Sequence, residues 1–307
     1  MARLGIIGAG HVGEIVAYTA ALRGGYNEIV LYDIDEKRLD GVVSDLEDAN
    51  RFYPHDTAFI AGTIEDVAKA KEIVVASGRI PENAQRRDEF KNNHEDVKDY
   101  IPKIMAAGFD GVFVVVTNPC DAIAYAVWKY SGLDASRVIG SGTALDSERS
   151  QTILARTYGV SVHSVNSMML GEHGDSQFLP YSQVKINHIP FDQYIEENNL
   201  TADKDAIEES VVYRGHRAFF GKGSTQYGIA NTVNDILDAV HFDSKKSLQV
   251  SALHTGEYGV DDVFVSTPCV IGKDGIEKII TLNLTDEEME KYRKSAETVR
   301  SYQASVE

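Results

Sequence analysis

The stretch Leu4-Gly5-Ile6-Ile7-Gly8-Ala9-Gly10-His11-Val12-Gly13 decides the fold. A short run with no polar alternation leads into three glycines spaced GxGxxG, and a helical pattern over 11–23 follows. That order predicts a strand covered on both faces, a tight turn and a helix whose N-terminus points at the turn. Gly8 permits the turn, Gly10 lets backbone amides approach a pyrophosphate, and Gly13 allows the helix to pack close to the strand. A second apolar strand over 29–32 ends at Asp33, twenty residues after Gly13. A carboxylate there accepts hydrogen bonds from ribose hydroxyls and repels a 2′-phosphate, and Ile34 and Asp35 offer no arginine. The motif therefore predicts NAD rather than NADP. Taken singly, the glycines fit a plain turn and Asp33 a solvated strand end; strand, spacing and acid together carry the dinucleotide reading.

Working outward, further apolar runs at 58–61, 73–76, 112–116 and 138–140 alternate with helical patterns at 36–50, 88–107 and 119–130. Strand–helix repetition predicts a Rossmann-type, doubly wound parallel sheet. Beyond about 142 the pattern changes. A helix over 146–158 stops at Gly159, short strand-like pieces fall near 165–170, 182–186 and 188–191, and helices near 202–220 and 227–241 follow. The runs 247–253, 263–271 and 276–282 look like an antiparallel meander. Thr285 with Glu288 three residues on forms a capping box for a last helix over 285–303. We expect an α/β nucleotide-binding domain over 1–142 and an α/β (α+β) substrate domain over 143–307, packed closely because no low-complexity linker separates them.

Composition sets the outer limits. The chain has 307 residues and a net charge of −17, and 43% of its residues are hydrophobic. The acidity argues against nucleic acid as a partner. The densest apolar run, GVFVVV at 111–116, is too short to span a bilayer. No signal-peptide pattern opens the chain, so a cytoplasmic location is expected. Cys120 and Cys269, the only cysteines, sit in apolar contexts and read as reduced, buried thiols, with no metal-type spacing.

Two segments carry chemistry. In Leu170-Gly171-Glu172-His173-Gly174-Asp175-Ser176, a histidine lies between two glycines and among carboxylates. A histidine can carry a proton at neutral pH, although a lone one is more often structural. In Leu145-Asp146-Ser147-Glu148-Arg149, Asp146 and Arg149 share a helix face, so one helix start can present an orienting carboxylate and a carboxylate-binding guanidinium. The plain alternative is a helix cap with an i,i+3 ion pair. Asn118, in Val116-Thr117-Asn118-Pro119, closes the fifth strand on the side where open α/β sheets bind ligands. The polar segment 79–87 has the character of a loop that closes over a ligand.

GAGHVG, Asp33, VTNP, LDSER and GEHGDSQF, in this order and spacing, resemble the NAD-dependent L-2-hydroxy acid dehydrogenases of the lactate/malate dehydrogenase superfamily. KGSTQYGIA and STPCVIGKDGI resemble its lactate-type members. The resemblance spans essentially the whole chain. It implies that His173 exchanges the proton, Asp146 partners it and Arg149 grips the substrate carboxylate in a fork that lysine does not reproduce. It implies that Arg86, with Arg87 as a neighbouring candidate, polarises the ketone. Asn118 would bind the substrate oxygen and border the cofactor, and Thr225 would wall the pocket. At the position that selects the substrate side chain the register gives Ile80 or Pro81, both apolar, with Arg79 one or two places away. The resemblance thus implies an aliphatic 2-oxo acid of the 2-oxoisocaproate kind. Lactate dehydrogenase activity is the alternative, and malate dehydrogenase activity or a non-catalytic NAD-binding role is less favoured. Gln151 and Asn166 stand where sugar-bisphosphate-activated members carry cations, so no such activation is expected. A metal-dependent glycosidase would need Cys/His ligands that Cys120 lacks. A homodimer or homotetramer is implied.

Overall fold

A computed structural model describes residues 2–79, 86–304 and 306, and of Arg86 and Arg87 the backbone alone. The first half runs β1 (Arg3–Ile7), α1 (Gly13–Arg23), β2 (Glu28–Tyr32), α2 (Glu36–Asp48), β3 (Ala58–Ala61), α3 (Ile64–Val67), β4 (Glu72–Val75), α4 (Arg86–Ala106), β5 (Val112–Val115), α5 (Cys120–Ser131) and β6 (Val138–Gly140). The second half runs α6 (Ala144–Tyr158), β7 (Val165–Asn166), β8 (Lys185–Ile186), β9 (Ile189–Pro190), α7 (Phe191–Glu197), α8 (Lys204–Lys222), α9 (Tyr227–His241), β10 (Lys246–Thr255), β11 (Asp261–Gly272), β12 (Gly275–Ile279) and α10 (Asp286–Gln303).

Six parallel strands stand in the order β3-β2-β1-β4-β5-β6, the doubly wound arrangement. The strand order reverses between β1 and β4, so the crevice above their carboxyl ends is the ligand side. The reason for the unbroken apolar runs is visible in the two cores. Leu4 and Ile6 pack with Val16, Ala20, Val233 and Leu237 of α1 and α9 on one face. Ile7, Val75 and Val115 pack with Val97, Ile101, Ile123 and Val127 of α4 and α5 on the other. Alternate residues of one strand thus serve two helical layers.

The meander behaves differently from a separate layer. β10 pairs antiparallel with β6 at Ser251 and Gly140, extending one sheet to nine strands. Val250, Cys269 and Ile271 share a core with Leu4 and Val114. The pieces near 165–170 and 182–186 shrink to β7 and β8, because Leu170 pairs only in an isolated bridge with Phe178 and a 3-10 turn occupies Tyr181–Gln183. The short helices α3 and α7 have no counterpart in the periodicity, although Thr63 and Asp66 do form a capping box on α3.

Candidate active site

The glycine loop shows three separate steric demands. Gly8 has φ +99, and a Cβ there would lie 2.5 Å from the Ser77 nitrogen. A Cβ on Gly13 would lie 1.8 Å from the Gly8 carbonyl oxygen. A Cβ on Gly10 would meet no atom of the described residues within 4 Å, so the space above the loop is open there. Helix α1 carries no side-chain cap at its N-terminus, where uncapped amides favour an anion. Asp33 accepts from the Ala9 N–H at 2.7 Å and from the Asp35 N–H at 2.9 Å, so it also braces the loop. A carboxylate has about four acceptor positions, and room for hydroxyl donors remains. These features fit an NAD pyrophosphate and ribose. Sequence reasoning missed Arg38. It reaches the Ala9 carbonyl at 2.9 Å and Glu14 at 2.9 Å, so its charge is already matched.

Two loops border the crevice. Buried Asn93 of α4 accepts from the Arg79 N–H at 2.8 Å and donates to the Asn118 carbonyl at 2.7 Å, tying the segment after β4 to that after β5. It too escaped the sequence reading, since a lone asparagine inside a helix gives no local signal. The Arg79 guanidinium forks onto Asp96 and also donates to the Asn92 carbonyl at 3.2 Å. Ile80 and Pro81 lie outside the described residues, and so does the side chain of Arg86, whose backbone opens α4.

The second half brings the candidate acid–base residues to the same ends of the strands, since the His173 amide bonds to Asp121 at the start of α5. Gly142 has φ +49, and a Cβ there would meet the Ser266 Oγ at 2.2 Å, so the turn into α6 needs glycine. Thr143 donates to the Met169 carbonyl at 2.6 Å, pinning the start of α6 beside the 170s segment. Asp146, 1% exposed, then faces His173. Its Oδ2 lies 2.6 Å from His173 Nδ1 and its Oδ1 accepts from Arg149 Nη1 at 2.7 Å. Burial works to raise the Asp146 pKa, but His173 and Arg149 overcome it and hold the carboxyl below its usual range.

The histidine is held a second time. Its backbone N–H donates at 2.8 Å to Oδ2 of Asp121, a buried residue of α5 that the sequence did not single out. Burial pushes the Asp121 carboxyl up to about 6, against the lowering influence of Ser251 and the His173 amide. Of the two flanking glycines, Gly171 is sterically required, while Gly174 faces only the movable end of a glutamate side chain. A Cβ on Gly171 (φ +93) would sit 2.4 Å from Ser295 Oγ, and one on Gly174 2.6 Å from the Glu172 carboxyl. Thr225 is half-buried in the turn between α8 and α9, and no hydrogen bond among the described residues ties it to His173 or Arg149. Cys120 is buried, its thiol directed to the Val115 carbonyl at 3.4 Å and its pKa pushed up by burial to about 12. It is packing, remote in character from a nucleophile.

A dinucleotide cradle and, at the same ends of the strands, a carboxylate-braced histidine with an arginine mark a nicotinamide-dependent oxidoreductase. Comparison with known proteins narrows the class. A family model described as the lactate/malate dehydrogenase NAD binding domain matches residues 2–140, and its alpha/beta C-terminal domain counterpart matches 143–306. L-lactate dehydrogenase 3 of Bacillus cereus is 36% identical over 99% of this chain and 98% of its own. L-lactate dehydrogenase of Corynebacterium efficiens is 36% identical over 99% and 96%. The minor L-lactate dehydrogenase of Enterococcus mundtii, in its ligands-bound form, superposes with a TM-score of 0.96 at 31% identity, covering 100% of this chain and 98% of that one. The chain belongs to the lactate/malate dehydrogenase family. It is an NAD-dependent 2-hydroxy acid dehydrogenase.

Proposed function

We propose that the chain interconverts a small L-2-hydroxy acid with an apolar side chain and its 2-oxo acid. Lactate and pyruvate are the simplest such pair, supported by the relatives, and a longer aliphatic side chain is the finer preference implied at Ile80. The observation that carries the reading is Asp146 held between His173 Nδ1 and Arg149 Nη1. NAD, when bound, supplies or takes up the hydride. With Nδ1 engaged by Asp146, the proton for the keto oxygen travels on Nε2, and Asp146 stabilises the cationic ring. Arg149 receives the substrate carboxylate and orients the carbon that reacts. Arg86 takes the role of polarising the ketone, Asn118 binds the substrate oxygen and lines the cofactor, and Thr225 walls the pocket. Gly8, Gly10, Gly13 and Asp33 hold the dinucleotide. In this scheme 1–142 hold the cofactor and 143–307 the substrate, in a cytoplasmic homodimer or homotetramer.

Arg79 bears on the choice of substrate. Its fork to Asp96 uses the charge that a second substrate carboxylate would need, which disfavours oxaloacetate. The test is a kcat/KM series with NADH over pyruvate, 2-oxobutyrate, 2-oxoisocaproate and oxaloacetate. Highest efficiency with an apolar substrate is expected. Oxaloacetate at the head of the series, or no turnover of any, would overturn the proposal.

A further inference from the structure

In a chain of net charge −17, three arginines crowd one spot and have no acidic partner among the described residues. Arg149 and Arg156 are seven residues apart on α6, hence two turns along one face and about 10 Å apart along the axis. Helix α8 packs on α6 and brings Arg214 and Arg217, three residues apart on one side of that helix. The two helices meet at Gly215, where a Cβ would lie 3.1 Å from Arg149 Nη1. Among the described residues no carboxylate lies within 4.0 Å of Arg156, Arg214 or Arg217, and Arg149 has Asp146 alone. Arg214 is half-buried, and burial together with the charges of Arg156, Arg149 and Arg217 lowers its pKa. Each of these influences disfavours its cation, so the arrangement carries a standing cost that a nearby anion would relieve. His216, between Arg214 and Arg217 on α8, lies 3.9 Å from Asp175, two places beyond His173. That contact sets the cluster at the border of the catalytic loop.

We infer that Arg156, Arg214 and Arg217 form an anion-capture patch that draws the carboxylate of the 2-oxo acid toward Arg149. This rests on the proposed function, in which Arg149 binds that carboxylate. A negatively charged protein repels such a substrate at long range. A local cluster of one sign reverses the field where it matters, and its effect fades with salt.

The experiment compares the parent with the triple variant Arg156→Gln, Arg214→Gln, Arg217→Gln and with Lys103→Gln, Lys278→Gln, Lys294→Gln, which removes the same net charge elsewhere. Steady-state kinetics with pyruvate and NADH are measured from 10 to 300 mM salt. For the parent, kcat/KM should fall steeply as salt rises. The arginine variant should lose about tenfold in kcat/KM at low salt, mostly through KM, and show a nearly flat salt profile; the lysine variant should keep the parent's slope. Oxalate binding, read by calorimetry without turnover, should weaken only in the arginine variant. Parent-like slope and oxalate affinity in the arginine variant would overturn this inference while leaving the proposed function standing. Absence of turnover with every 2-oxo acid in the parent would remove both.

Discussion

Asp146 carries two bonds on one buried carboxylate, and the consequences of removing its charge can be worked out. Asp146→Asn keeps the shape but offers an amide where His173 Nδ1–H and Arg149 both need an acceptor. The expected result is a kcat loss of about 10³-fold or more, by analogy with other aspartate–histidine pairs, read by pre-steady-state NADH oxidation. Arg149→Lys should instead raise KM, by about 3 kcal/mol if a charge-assisted fork is lost; unchanged KM would exclude the assigned role. Asp121 allows a stability test with a definite sign. Its carboxyl titrates at about 6 in the folded chain against an ordinary 3.8, so folding favours its protonated form. Stability from this group is therefore highest in acid and falls as pH rises from about 4 to 6, a loss of about 3 kcal/mol by neutral pH. Asp121→Asn retains an acceptor for the His173 amide and removes the charge. Its Tm should exceed the parent's above pH 6 and converge with it near pH 4. A gap independent of pH would contradict the burial argument.

At the scale of the element, the glycine loop separates folding from binding. Gly13→Ala places a methyl against the Gly8 carbonyl and should lower Tm sharply. Gly10→Ala meets no atom of the described residues, so its Tm should stay within a degree or two of the parent, while NADH affinity falls at least about tenfold because the methyl occupies the pyrophosphate's approach. Equal Tm losses in the two variants, or full NADH affinity in Gly10→Ala, would refute this division. The loop and the long helices were legible because their signals lie within a few residues: glycine spacing, apolar period, the caps at Thr285 and Gly159. Helices α3 and α7, four and seven residues long, offer too few periods to read, and packing rather than propensity sustains them. The boundaries of β7 and β8 were obscure for the same reason.

For the whole molecule, the continuous sheet makes a further demand. A fragment of residues 1–142 would expose the β6 edge that β10 covers and the face of β1 and β5 that α9 covers. Expressed alone it should aggregate or melt without cooperativity, and co-expression with 143–307 should restore solubility. A monomeric fragment with a sharp melting transition would show that the nucleotide half is self-sufficient.

Much of this protein was decided locally. The doubly wound class, the NAD motif and Asp33 followed from strand–helix repetition, glycine spacing and a strand end, and the roles expected of His173, Asp146 and Arg149 from the resemblance of LDSER and GEHGDSQF, all signals written along the chain. The bonds that give those residues their setting span long separations. Asp121 lies 52 residues from the His173 amide it receives, Asn93 lies 25 from the Asn118 carbonyl it holds, and Arg79 lies 17 from Asp96. Those pairings, the joining of the meander to the main sheet and the crowding of arginines between α6 and α8 were settled only by tertiary packing. Close packing, not neighbouring sequence, chooses which buried polar groups meet.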